Sequence, residues 1–400
     1  MSQLSYMEKL LDGVDVEWKA LAELGELVRG NGLPKADFTT SGVPAIHYGQ
    51  IYTHYGLSTE TTISYVSPET ARKLKKVNTG DVVITNTSEN LEDVGKALVY
   101  LGNSEAVTGG HATIFKPNKL IIGKYFAYFT QTSTFFSAKR KLAKGTKVID
   151  VSATDMAKIQ IPIPCPDNPE KSLAIQSEIV RILDKFTALT AELTAELNMR
   201  KKQYNYYQFE LLKFTETTQQ LSIGECCDIK KGVTPIKKAT PGKYPLVATT
   251  EERQSSSGYQ FDCPAVCVPL ISSRGHGVAS IDRIYYQDGK FALGNILCAI
   301  IPNDSEMLSA KFLRYYLFDK KDVLLVPLMR GGANVSLTVD SLKKVKIPIP
   351  PKADQQRIVR ALDKFDEFVK ALPCEIELRQ RQYEYYRDLL LSFPKPEAAA

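Results

Sequence analysis

KIQIPIPCPDNPEKSLAIQSEIVRILDKF, running from Lys158 to Phe186, returns as KVKIPIPPKADQQRIVRALDKF from Lys344 to Phe365. The second copy has 22 residues against 29, and the seven missing ones fall in the loop after the Ile-Pro-Ile-Pro run. Beyond it, RKKQYNYYQFELLKF from Arg200 matches RQRQYEYYRDLLLSF from Arg379 without a gap. A chain that repeats itself on this scale is an internal duplication. The lobes between the copies echo each other more faintly. VPAIHYGQ at Val43 answers YPLVATTE at Tyr244, and DVSATDMAKIQIPIP at Asp150 answers NVSLTVDSLKKVKIPIP at Asn334. Two scaffolds kept alike while their lobes diverge is what two readers of different targets require.

Each repeat continues into an apolar stripe. Ile179, Ile182, Phe186, Leu189, Leu193, Leu197, Tyr204, Tyr207, Leu211 and Phe214 are separated by steps of three, four or seven, the spacing of one helical seam. The second copy repeats it as Ile358, Ala361, Phe365, Phe368, Leu372, Ile376, Tyr383, Tyr386, Leu390 and Phe393, with Pro373 expected to kink or restart the helix. Neither helix buries its seam alone, so the simplest solution packs them on each other as an antiparallel coiled coil with a lobe at either end. Pairing with a second copy of the chain is the alternative. Thr190-Ala191-Glu192-Leu193 is followed at once by Thr194-Ala195-Glu196-Leu197. Each such unit adds about 6 Å of helix, a way of setting the distance between lobes.

Within the lobes, residues 81–87, 265–272 and 294–302 are short β-rich runs, and 311–318 reads as a helix. Ile-Pro-Ile-Pro is expected outside any sheet, at the exit from each lobe into a long helix, because proline has no amide for a ladder. The fold class is therefore α+β, with two mixed α/β domains separated by the helix pair.

The bulk numbers narrow the function. Four hundred residues, 44% hydrophobic and 24% charged, fit a globular protein of two or three domains. No apolar stretch is long enough to cross a bilayer and the first residues lack a signal-peptide layout, so a cytoplasmic protein with no membrane contact is expected. Seven cysteines without a paired framework read as buried thiols, and Cys263 with Cys267 lacks the second ligand pair that zinc needs. Motifs for nucleotide hydrolysis, adenine methylation, zinc proteolysis and serine hydrolysis are all missing from the sequence. Catalytic residues and metal ligands are accordingly expected to be none. The net charge of +6 decides little, but two basic clusters do more: Lys139, Arg140, Lys141, Lys144 and Lys147, then Lys230, Lys231, Lys237 and Lys238. Either alone reads equally as a solvated face; their recurrence favours phosphate contact.

Candidate DNA contacts follow from side-chain chemistry. HYGQIYTHYG offers His47, Tyr48, Gln50, Tyr52 and His54, although a packed strand and turn would look the same. His111 in TGGHATIF reads equally as a core histidine. Two loops after matching strands are expected to be exposed and polar. The first carries Asn86, Thr87, Ser88 and Asn90, the second Ser272, Ser273, Arg274 and His276. Arginine suits guanine and asparagine suits adenine in the major groove. The loops before the Val-Ser match add Lys144, Thr146, Lys147, Arg330 and Asn334, and the second basic cluster adds Lys231.

Lobe, Ile-Pro-Ile-Pro exit, helix with LDKF, Tyr-rich tail, and the whole set again: this plan, with the opening SYMEKLLDGVDVEWKALAELGEL, resembles the specificity subunits of type I restriction and modification systems along essentially the entire chain. The resemblance implies an N-terminal conserved segment at 1–15, target-recognition domains at 16–159 and 221–346, and conserved helical spacers at 160–220 and 347–400. It implies a DNA-binding subunit without catalysis of its own that reads a two-part asymmetric target with an unread gap. Two methyltransferase subunits would bring S-adenosylmethionine, and two motor and nuclease subunits would bring ATP and Mg. One departure is that FTETTQQLSIGE at the central junction lacks the Glu-Trp of DVEWKALAELGE. A stand-alone methyltransferase or nuclease, and a coiled-coil assembly protein with no DNA role, are the alternatives.

Overall fold

The computed structural model describes residues 10–11, 13–250, 254–273, 281–331 and 334–393. The chain divides into two units, residues 1–193 with 375–400, and residues 194–374. In the first, one five-stranded sheet has the order Gly25–Arg29, Ala112–Pro117, Val82–Thr85, Ala97–Tyr100, Ser58–Thr59. A second five-stranded sheet has the order Phe38–Thr39, Ser64–Val66, Val43–Ile46, Ala106–Thr108, Lys75–Val77. Among the described residues the other unit has four strands in each. Its sheets run Cys227–Lys231, Leu297–Pro302, Ala265–Pro269, Tyr285–Gln287 and Gln254–Ser256, Tyr244–Val247, Lys290–Leu293, Phe261–Asp262.

The central strands are β-branched runs because both of their faces are covered. Val82 and Ile84 belong to one apolar cluster and Val83 to another. In the second unit Val266 and Val268 face one cluster while Ala265 and Cys267 face the other. The four β-rich and helical runs expected within the lobes are present, the helix as Ala310–Asp319.

The Ile-Pro-Ile-Pro segments differ from expectation. Gln160–Pro164 is a strand paired antiparallel with Val16–Ala20, and Lys346–Pro348 pairs with Gln220–Ser222. Two strands tolerate the prolines because alternate amides point away from the partner. Leu21 N donates to Ile159 O at 2.9 Å and Cys165 N to Asp15 O at 2.7 Å, so odd-numbered residues face the partner and Pro162 and Pro164 face away. Ile223 N to Val345 O and Ile349 N to Gln219 O put Pro348 and Pro350 in the same phase. The central junction, without the Glu-Trp, keeps the phase of the pairing but shortens it from five residues to three, and Glu23 and Glu225 each accept the backbone amide three residues before them.

Both segments then lead, as expected, into long helices, Pro169–Leu211 of 43 residues and Lys352–Leu391 of 40. The second runs through Pro373 without a break. Proline there removes one internal bond at an exposed position, and ion pairs such as Arg379 Nε to Glu375 at 2.8 Å hold the turn beyond it. The pairing is antiparallel. Phe186 stacks on Tyr386 in the first unit at 5.1 Å, and Phe365 stacks on Tyr207 in the second at 5.4 Å. These are the same two residues of the repeat with the copies exchanged. Of the expected seam, Ile179, Ile182, Leu197, Ile358, Tyr386 and Leu390 are buried, and Leu193, Leu372 and Ile376 are half-buried. Leu189 and Phe368 are exposed, with Leu183 and Leu362 buried in the seam instead.

The repeated polar letters of the two helices fasten each lobe. Gln176 is fully buried; its Oε1 accepts from Ile122 N at 2.9 Å and its Nε2 donates to Leu120 O at 2.9 Å. Gln355 makes the same pair with Ser309 N and Met307 O, each at 2.8 Å. Asp184 takes Lys124 Nζ at 2.8 Å and the Tyr128 hydroxyl at 2.7 Å, while Asp363 takes Lys311 and Tyr315, each at 2.8 Å.

Candidate nucleic-acid interface

The first lobe gathers several of the expected residues into one patch. HYGQIYTHYG contains a short helix, Tyr48–Thr53, whose start is capped by His47 Nδ1 accepting from Gly49 N at 3.2 Å. This turn stands the Tyr48 ring between two imidazoles, 4.5 Å from His47 and 4.9 Å from His111. Thr87 Oγ1 shares a 2.8 Å hydrogen bond with His111 Nδ1, and the Ser88 side chain lies beside the Tyr52 hydroxyl. Three separate segments, 47–52, 87–88 and 111, thus meet. Burial, with Lys35 and His111 nearby, holds His47 below its ordinary pKa, so its imidazole is neutral at physiological pH. Burial, together with Tyr48 and Asp93, raises Tyr52, which keeps its hydroxyl protonated as a donor.

Other candidates are engaged internally. Gln50 donates to Ser64 Oγ at 2.6 Å and accepts from His47 N. His54 is exposed and sits edge-on to Tyr55 at 5.2 Å. Asn90 is exposed, but its side chain both accepts from Asp93 N and donates to the Asp93 carboxylate.

The loop expected at 85–90 is largely not a loop. Thr85, Asn86, Thr87 and Ser88 are buried, and Thr87–Ser88 pairs antiparallel with Ile149–Asp150. Asn86 is fully buried with Nδ2 on Val151 O, so it cannot meet adenine without opening the fold. Its backbone explains why: Asn86 N donates to His111 O, and Val151 N to Asn86 O. Leu270 makes the same two bonds, with Ile296 O and Leu337 N. An apolar residue in the second lobe marks this as a core position in both. Lys139, read as part of a basic surface cluster, is only 4% exposed; it lies within the helix Ser133–Leu142, whose buried face also holds Phe135.

Lys144, Lys147 and Arg330 lie on matched turns. Lys144 and Asp150 exchange backbone bonds of 2.9 and 2.8 Å, as Arg330 and Ser336 do at 2.9 and 2.7 Å, closing two loops of the same length. Gly145 and Gly331, each next in sequence, have φ of 98° and 131°, which only glycine adopts without strain. Thr146 and Lys147 are exposed on the first of these loops, while the Lys144 ammonium is paired with Asp155 at 2.9 Å. Lys158, Lys144 and Ser152 together hold the Asp155 carboxyl well below the usual carboxylate range. In the second unit Lys231 and Arg330 are exposed. Ser272 and Ser273 lie in the strand Ile271–Ser273, which pairs with Asn334–Ser336. Arg274 and His276 lie outside the described residues.

Sequence reading missed Arg29, Lys35 and Phe38. Arg29 Nε donates to Gly110 O at 3.2 Å and its guanidinium lies 3.7 Å from Asp150, joining the His111 turn to the 144–150 loop. It takes the place of Lys231, each being the last residue of its strand and followed by glycine, and that Arg-Gly and Lys-Gly match was the available signal. Phe38 stacks edge-on to His47 at 5.5 Å.

Among the described residues no group of three His, Cys, Asp or Glu could hold a metal ion, and no helix is long and apolar enough to cross a membrane. A family model described as the type I restriction modification DNA specificity domain matches twice, over residues 13–200 and 215–378. The specificity subunit of the EcoR124I/EcoR124II type I restriction enzyme of Escherichia coli is 36% identical over the whole length of both chains. The EcoprrI specificity subunit, also of Escherichia coli, is 30% identical over 93% of each. The fold is that of a type I restriction-modification S subunit from M. genitalium, with a TM-score of 0.61 over 96% of this chain and 98% of that one at 14% identity. With the duplicated frame seen in sequence, in backbone pairing and in the two family matches, this chain belongs to the type I restriction-modification DNA specificity subunits.

Proposed function

We propose that the chain reads a two-part, asymmetric DNA target with an unread gap, one half-site for each target-recognition domain, residues 16–159 and 221–346. In the first domain Tyr48, Tyr52 and His111 supply base-edge and stacking chemistry, supported from behind by Thr87 and Ser88, with Arg29, Thr146 and Lys147 on the flanking phosphates. In the second, Lys231, Arg330, Asn334, Ser272, Ser273, Arg274 and His276 supply the contacts. The observation that carries this reading is the duplicated frame with dissimilar patches: Gln176 and Gln355 hold their lobes through the same bonds, while His111 is answered by Ile296. Two identical patches would read a symmetric site; these read different sequences.

The helices serve as ruler and as dock for two methyltransferase subunits, which bring S-adenosylmethionine. Two motor and nuclease subunits, with ATP and Mg, complete the complex in the cytoplasm. Phosphate contacts then give salt-dependent affinity and the two half-sites multiply specificity.

Methylome sequencing of cells expressing the chain with its methyltransferase partner tests this. Two short half-sites separated by a fixed stretch of any sequence are expected. A single contiguous motif, or methylation without sequence preference, would overturn it.

A further inference from the structure

One lysine of the first basic cluster has a different task. The Lys139 Nζ reaches inward and donates to the carbonyl oxygens of Glu92, at 3.2 Å, and Val94. The segment it grips is tied again by Thr85, whose Oγ1 donates to Asp93 O at 2.5 Å and whose carbonyl accepts from Gly95 N at 2.8 Å. Gly95, at φ 76°, lies so close that a Cβ there would come within 3.2 Å of Lys139 Cδ. At its other end the segment starts beside Ser88, which lies next to Tyr52 of the aromatic patch, and it displays the exposed Asn90. The ammonium is thus enclosed by the loop that it binds. Burying such a charge is costly unless acceptors meet it, so these two carbonyls tie the lysine to this loop.

We propose that Lys139 is a positioning residue for DNA reading: its buried amino group, donating to the carbonyls of Glu92 and Val94, latches the 89–95 loop and so sets selectivity at the first half-site alone, without touching DNA. This rests on the first lobe being a reader. Glu92, Asp93 and Lys96 face the ammonium from the loop and Phe136 from its own helix, and burial, the largest influence, lowers its pKa to about 8. With the loop opened, the ammonium regains its ordinary pKa near 10.5. Between these values the closed loop binds fewer protons than the open one, so closure strengthens as pH rises through that window.

The test uses the complex with its methyltransferase partner and compares wild type, Lys139→Leu, Lys139→Met and Lys147→Ala. Leucine and methionine keep an apolar stem at this buried place and remove the charge, so both variants should fold. Binding is measured on duplexes altered in one half-site at a time. Both Lys139 variants should lose about ten-fold discrimination at the first half-site, as expected for a misplaced base contact, and keep discrimination at the second. Their slope of log affinity against log salt should stay unchanged, whereas Lys147→Ala should lower it by about one. Wild-type selectivity at the first half-site should increase from about pH 7 to about pH 10, and the Lys139→Leu profile should lie flat relative to it. Undiminished discrimination by the Lys139 variants, equal losses at both half-sites, or a reduced salt slope would each overturn the latch. If wild type itself shows no preference at the first half-site, the reading on which the latch rests fails instead.

Discussion

Matched positions in the two lobes divide into two kinds. Where a lobe meets its long helix the residues coincide: Gln176 with Gln355, Asp184 with Asp363, and the Phe186–Tyr386 stack with Phe365–Tyr207. On the strands leading to the patch they do not. Asn86 faces Leu270, His111 faces Ile296, and Thr113, opposite Arg29, is answered by Cys298, opposite Lys231. Backbone bonds at these positions are nevertheless the same, so the substitutions change chemistry without changing the frame. A duplicated protein can vary what it reads on a fixed frame when the hydrogen bonds that build the frame belong to the backbone and the clamp, and here they do.

The largest test of that division concerns the frame. A third Thr-Ala-Glu-Leu unit inserted after Leu197 should add about 6 Å of helix and abolish methylation at the original spacing while creating it at a longer one. Both half-site sequences should stay as they were. Altered half-sites in the methylome would mean that reader and ruler are not separate parts.

Next in size is the clamp. Gln176→Ala and Gln355→Ala each strand a buried backbone amide and carbonyl, and each should destabilise its lobe by about 2 to 4 kcal/mol in denaturant unfolding. The copies should suffer equally. A large loss in one and none in the other would show that matched geometry does not mean matched energetics.

Smaller again is the patch. His111→Ala removes the partner of Tyr48 and Thr87 and should weaken binding at the first half-site by roughly 10- to 100-fold, leaving second half-site discrimination intact. Ile296→Ala, at the corresponding place, should lack a comparable effect on DNA selectivity, as read in competition binding with half-site variants.

The frame was legible in the sequence and the patch much less so, for physical reasons. The repeat from Lys158 announces the duplication because a clamp needs the same letters wherever the same bonds recur. Helical periodicity found the paired helices, but spacing alone also placed the exposed Phe368 and Leu189 in the seam, because it does not show how wide a face the partner covers. Ile-Pro-Ile-Pro was misread because the proline rule concerns amides that face a neighbour, and in a two-stranded sheet half of them face none. Thr85 to Ser88 looked like a polar loop, since composition cannot tell a solvated threonine from one bonded inside a strand. Lys139 was counted as surface charge for the same reason, and Arg29 was missed because it stands far in sequence from the Asp150 and Gly110 it joins.

The smallest effect concerns Thr113. Among the described residues, its Oγ1 and Asn86 Oδ1 are buried without a hydrogen-bond partner, and the second lobe answers these positions with Cys298 and Leu270. A buried hydroxyl that bonds nothing costs free energy relative to a methyl group of the same shape. Thr113→Val should therefore stabilise the first lobe by about 1 kcal/mol, seen as a raised denaturant midpoint with an unchanged slope. Selectivity at the first half-site gives the result its meaning. Unchanged selectivity with added stability would make the polar pair a residue of divergence in the frame. Lost selectivity with added stability would instead place Thr113 in the support of the adjoining Arg29, whose guanidinium bridges Gly110 and Asp150, and would move the boundary between frame and patch one strand deeper into the sheet.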